Sequence, residues 1–108
     1  MEGLVEEFND DMMALCVRTP RETVPPYYPN YFCRMVKERG GLETAKYLLS
    51  TEDPQYGLAR LWELDRLDLS VEYLVLRRRY APLFIERELA EAKKRLTDYR
   101  MRFPDPEQ

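Results

Sequence analysis

GLVEEFNDDMMALCVR, residues 3–18, sets Leu4, Val5, Phe8, Met12, Leu15 and Cys16 at intervals of three and four. Wound as an α-helix, these side chains form one apolar stripe, whereas a strand would scatter them over both faces. Glu6, Glu7, Asp10 and Asp11 crowd the opposite side. Acids early in a helix also suit its positive N-terminal end. Met13 lies off the stripe.

The same period recurs along the chain. Residues 19–29 interrupt it, because Pro20, Pro25, Pro26 and Pro29 do not fit helix interiors. This segment reads as an ordered loop, with a flexible loop as the alternative. Pro29 then opens a helix through Arg39 with Phe32, Met35 and Val36 inward, and Gly40-Gly41 ends it. A helix over 42–50 turns Ala45, Leu48 and Leu49 inward. Asp53-Pro54 is a cap and first turn for a helix over 54–64, presenting Leu58, Leu61 and Trp62 to the core. A short strand over 67–69 has no evident partner. Ser70 caps a helix over 71–79 with Val71, Leu74 and Val75 inward, and Pro82 marks the next break. A last helix spans 86–100 with Leu89, Ala92, Leu96 and Tyr99 in register, and Glu91 and Arg95 four apart in the favourable order. The fold class is therefore all-α: a compact orthogonal bundle of about six short helices, one domain over 1–102, with a frayed tail at 103–108.

Composition narrows the chemistry. The chain of 108 residues is of one-domain length and, with 44% apolar residues, can bury a core. Net charge is −3: residues 1–30 hold six acids and two bases, and the rest is nearly balanced. That balance does not suit a protein that coats nucleic acid. There is no histidine, which removes the commonest general base and metal ligand. The two cysteines, Cys16 and Cys33, are too few for a zinc site; they could form one disulfide, but both sit inside helical patterns, and the expected state is buried free thiols in a reducing cytoplasm. Residues 1–15 carry acids where a secretory leader would carry bases, and no apolar run spans a membrane. No cofactor or metal is expected.

Three segments carry a resemblance: YYPNYFCRMVKERGGLETAKYLLS (27–50), GLARLWELDRLDLSVEYLVL (57–76) and APLFIERELAEAKKRL (81–96). Gly40–Lys46 and Arg66–Glu72 are the most specific parts. Over residues 8–99 the chain resembles a small uncharacterised bacterial all-helical domain, found standalone and as a segment attached to restriction-type nucleases. The resemblance implies a helical fold and a bacterial source, and no activity. The chain departs from that pattern in the proline-rich stretch 19–26. It also departs at Ile85, where the family tends to place a Thr or Ser cap, so the last helix is expected to start with a weaker cap.

Several constellations invite a functional reading. Glu63, Asp65 and Asp68 are dense enough to suggest paired carboxylates or a divalent-ion site. The plainer reading is that they organise a turn, with Arg66 paired to one of them. Arg77, Arg78, Arg79 and Tyr80 are the candidate nucleic-acid contact, through phosphate-gripping guanidinium groups and a stacking face, with Lys93, Lys94 and Arg95 as an extension. The plainer reading there is a solvated helix end. The helices at 42–50 and 54–64 allow a helix–turn–helix pair, but its second helix has Arg60 as its one base. Tyr27, Tyr28 and Tyr31, beside the prolines, are the candidate partner surface. The expected function is a non-catalytic bacterial helical module, not an enzyme, acting through contacts with an unidentified protein partner. The alternative is a nucleic-acid-binding accessory of a defence or restriction system.

Overall fold

Six α-helices and three 3-10 turns make up the computed structural model, which describes residues 2–99. The helices are α1 (Glu2–Glu22), α2 (Asn30–Arg39), α3 (Gly41–Ser50), α4 (Leu58–Glu63), α5 (Val71–Val75) and α6 (Glu86–Asp98). No strand occurs among the described residues, including at 67–69, which forms a 3-10 turn. The sequence reading of the tail at 103–108 lies outside them.

α3 is the hub, packed against α1, α2, α5 and α6. Ala45, Leu48 and Leu49 on its inward face meet Phe8, Met12 and Leu15 of α1 and Phe32, Met35 and Val36 of α2 in one apolar cluster. Val71, Leu74 and Val75 and the α6 residues Ala92 and Leu96 complete the cluster. Phe8 sits edge-on to both Tyr80 and Phe84, with ring centroids 5.0 and 5.3 Å away. The inward faces read from helical periodicity are buried or, at Leu4, Val5, Cys16, Leu58, Leu89 and Tyr99, partly buried against the core, and one residue is misplaced. Trp62, expected inside, is 49% exposed. Leu61 is the buried residue of the short α4, with Leu58 partly buried against the core.

Three helices end elsewhere than their sequence pattern suggests, each for a local reason. α1 runs through Pro20 to Glu22 rather than stopping at residue 18. Pro20 lies in the last turn, and side chains take over where the ladder weakens. The Thr19 hydroxyl donates to the Leu15 carbonyl at 2.6 Å and the Thr23 hydroxyl to the Thr19 carbonyl at 2.7 Å. Arg66 donates to the Glu22 carbonyl at 2.6 Å, closing the helix end from across the chain. The segment 54–64 is split. Asp53 does cap it, accepting from the Gln55 N–H at 3.0 Å. The turn at 54–56 is 3-10, however, and Gly57, with φ 93°, separates it from α4. The helix expected over 71–79 stops at Val75, and residues 78–83 continue as a 3-10 turn containing Pro82. That turn carries Tyr80 into the core.

Cys16 of α1 and Cys33 of α2, expected as separate thiols, are instead joined in a disulfide, with Cα atoms 5.7 Å apart. The α1–α2 packing brings the two positions together on a half-buried seam. Ile85 has no side chain to cap α6, and the far half of the motif compensates. The Glu88 carboxylate accepts the Ile85 N–H at 2.9 Å and is in turn held by Lys46 at 2.8 Å. The Val24–Pro25 peptide bond is cis.

Candidate functional site

The acidic group at 63–68 is dispersed by its own partners. Glu63 pairs with Arg60 at 3.3 Å. Asp65 occupies the turn after α4 with φ 58°. Both oxygens of Asp68 are gripped by Arg66, at 2.9 and 3.0 Å. Arg66 also reaches Glu22, so these residues tie α1 to the 67–69 turn. No group of three His, Cys, Asp or Glu side chains placed to hold a metal ion occurs among the described residues.

The arginine cluster is likewise divided. Arg77 and Arg78 stand exposed. Arg79 turns back onto α1, 3.2 Å from Asp11 and 3.5 Å from Glu7, and donates to the Tyr80 hydroxyl. Tyr80 is wholly buried and its hydroxyl donates to Asp11, so it has no open face on which a base could stack. Lys94 is paired with Asp98, and Arg95 points inward. Nor do α3 and α4 form a tight helix–turn–helix pair, since the 3-10 turn and Gly57 intervene and α4 is six residues long.

Of the three tyrosines proposed as a partner surface, one is open. Tyr27 is half-buried, with its hydroxyl against Gly57, where a Cβ would collide with it. Tyr31 donates to Asp53 at 2.5 Å, and Tyr47 donates to the same oxygen at 3.3 Å. The bond to Asp53 pushes the Tyr31 hydroxyl up to about 12 and holds the Asp53 carboxyl below the usual carboxylate range. Tyr28 is 63% exposed.

Elsewhere, a groove of about 630 Å³ runs between residues 52–59 and α6, lined by Glu52, Asp53, Tyr56, Leu58, Ala59, Glu91, Lys94, Arg95, Asp98 and Tyr99. Trp62 packs on Tyr99 at one end, with ring centroids 5.6 Å apart. A buried polar network forms its floor. Glu72 of α5 is fully buried, accepting from the Tyr56 hydroxyl at 2.9 Å and from Arg95 at 3.2 Å. The Tyr56 hydroxyl also accepts the Val71 N–H at 2.6 Å. Arg95 further donates to Glu91 at 2.7 Å and to the Leu48 and Thr51 carbonyls at 2.6 and 3.0 Å.

Burial pushes Glu72 up from its ordinary carboxylate value, against the pull of its Tyr56 and Arg95 bonds. Burial also pushes the Tyr56 hydroxyl well up, with the neighbouring Glu72 charge adding to the effect. Every one of these groups is hydrogen-bonded to another within the fold, so the network ties residues 48–56, α5 and α6 together. Sequence reasoning missed it. The available signal was Glu72 inside the apolar run Val71–Val75, since a carboxylate on an inward face must find a partner.

No protein-family model, no curated protein and no solved structure matches this chain. Among the described residues no helix is long and apolar enough to cross a membrane.

Proposed function

We propose that the chain is a non-catalytic helical module that acts through contacts with another protein. The observation that carries this reading is the pair of aromatic side chains left in solvent, Tyr28 at 63% and Trp62 at 49% exposure. Exposed aromatic residues on an otherwise well-packed domain are typical anchors of protein interfaces. The polar residues that might serve chemistry or phosphate binding, Glu72, Arg79 and Arg95, are instead bonded within the fold. A bacterial source goes with this reading through the family resemblance, whereas the cytoplasmic expectation rested on free thiols and loses that support in the Cys16–Cys33 disulfide.

The experiment is site-specific photo-crosslinking from position 28 in the cell of origin, beside a gel-shift titration of duplex DNA at low salt. The expected result is a saturable cross-link to a protein from position 28, the same cross-link when the crosslinker is moved to the exposed position 24, its loss there when Tyr28→Asp is added, and no retention of DNA at about 1 µM protein. The second reading, a nucleic-acid-binding accessory of a restriction or defence system, draws on the exposed Arg77 and Arg78. It becomes the leading one if DNA is retained, if that retention weakens steeply with salt, and if the joint change of Arg77, Arg78 and Arg79 to Ala abolishes it.

A further inference from the structure

The groove along α6 is polarised in a way that selects what can lie in it. Its lining holds four carboxylates, Glu52, Asp53, Glu91 and Asp98, against two cations, Lys94 and Arg95. Both cations are already matched: Lys94 pairs with Asp98, and Arg95 with Glu91 and the buried Glu72. Glu52 and Asp53 are left with no salt-bridging cation among the described residues. The Asp53 oxygens accept hydrogen bonds from tyrosine hydroxyls and a backbone N–H, which hold it ionised without neutralising it. One end of the groove is therefore anionic.

The other end is apolar. Leu58 and Ala59 line it, Tyr99 closes it, and Trp62 extends it outward. Arg95, bonded to the Thr51 carbonyl, sits beside the anionic end, and Tyr99 lies one helical turn further along α6. The lining stretch from Glu91 to Tyr99, the residue that caps α6, is about 12 Å long at 1.5 Å per residue, and the part from Arg95 to Tyr99 is about half of that. An extended segment covers these lengths with about two to four residues.

We propose that this groove receives a linear segment of a partner protein in which a cationic side chain precedes or follows a large apolar one by two to four residues. The cation lies at Glu52 and Asp53, and the apolar side chain lies against Leu58, Trp62 and Tyr99. The charge of the groove argues for this occupant. An acidic segment would meet unmatched carboxylates, and a wholly apolar one would bury them unpaired. The proposal rests on the protein-contact reading above and names the chemistry of the contact.

Trp62 is the sole tryptophan, so its emission reports the apolar end directly. The probe is the capped peptide acetyl-GRSAFG-amide, titrated into the full-length protein. One control carries Glu in place of its Arg, and the other Ser in place of its Phe. The expected result is a saturable blue shift of Trp62 with a dissociation constant below about 1 mM, at least tenfold weaker for either control. Glu52 is exposed and makes no side-chain hydrogen bond among the described residues, and Glu52→Lys should weaken the parent peptide at least fivefold while leaving the helical spectrum unchanged.

Absence of a saturable shift, or equal binding of the Glu-substituted peptide, overturns the proposal. So do two other occupants. If peptide binds only after the full-length chain carries Arg100→Glu, Arg102→Glu and Phe103→Ser, the chain's own C-terminal residues fill the groove. If Trp62 emission depends on protein concentration without peptide, a second copy fills it. A protein cross-link from position 28 that persists through any of these failures leaves the broader protein-contact reading standing.

Discussion

Arg95 gathers three helices with one side chain. It bonds Glu91 on its own helix, the buried Glu72 on α5 and the Leu48 and Thr51 carbonyls at the end of α3. Removing one partner of a buried pair is costly because the other charge stays behind in a poor solvent, about 3–5 kcal/mol. Arg95→Met keeps most of the side-chain volume and strands Glu72. The cost should also depend on pH. Burial already holds the Glu72 pKa above its ordinary value, and loss of the cation raises it further. A raised folded-state pKa means that the protonated form is favoured, so stability is greatest below the ordinary carboxylate value and is lost as pH rises through the folded one. Urea midpoints of Arg95→Met and parent should therefore lie closer together at pH 5 than at pH 8. A difference independent of pH would show that Glu72 keeps one protonation state from pH 5 to 8 in both proteins. Glu22 behaves oppositely. Hydrogen bonds from Arg18 and then Arg66 hold it down to about 2, so its contribution is present above the ordinary carboxylate value and fades as pH falls toward 2. The local half of the Arg95 network was legible in sequence as a pair four residues apart. The Glu72 half spans 23 residues, a separation at which no local pattern operates.

Between elements, α1 comes close to the start of α3. A Cβ on Gly41 would lie 2.8 Å from the Asn9 side-chain oxygen and 2.9 Å from the Asn9 Cα. The same Asn9 oxygen accepts the Leu42 N–H at 2.9 Å, so α1 caps α3 from outside. Two effects compete in Gly41→Ala. Helix propensity favours alanine by about 1 kcal/mol. The clash is with backbone, which cannot swing aside, and such overpacking costs about 1–3 kcal/mol. The clash should win, lowering the urea midpoint. Gly3→Ala is the control: it lies in α1 with nothing within 4 Å of the new Cβ, and it should be neutral or slightly stabilising. Sequence periodicity found α2, α3 and α6 because each buries one continuous face. It failed at 54–64 and 71–79, where the chain changes helix type within a segment whose apolar spacing stays helical. Gly57 and Pro82 were visible, but Gly57 fits against Tyr27, and the turn that contains Pro82 carries Tyr80 onto Phe8, both partners far away in the chain. Pro20 misled in the other direction, since two threonines and a distant arginine hold α1 together past it.

At the scale of the molecule, the all-α class follows from composition and period alone. The groove does not, because it is a property of how α6 lies beside residues 52–59 and not of either segment. The same holds for the cysteines. Separate positions on two helical stripes suggested two thiols, and only the α1–α2 packing places them within reach of each other. The pairing carries the last prediction. A cross-link between residues 17 apart restricts the unfolded chain more than the folded one, and for a loop of this size the stabilisation is about 3 kcal/mol. Reductant should lower the urea midpoint of the native protein accordingly, and thiol titration before reduction should find no free cysteine. The double variant Cys16→Ala, Cys33→Ala should match the reduced parent and ignore reductant. Helical content should survive in both, because Phe8, Met12 and Leu15 hold α1 to the core independently of the bond. If reductant changes nothing and two thiols titrate in the native protein, the two cysteines merely face each other across the seam. α1 is then held to α2 by packing alone.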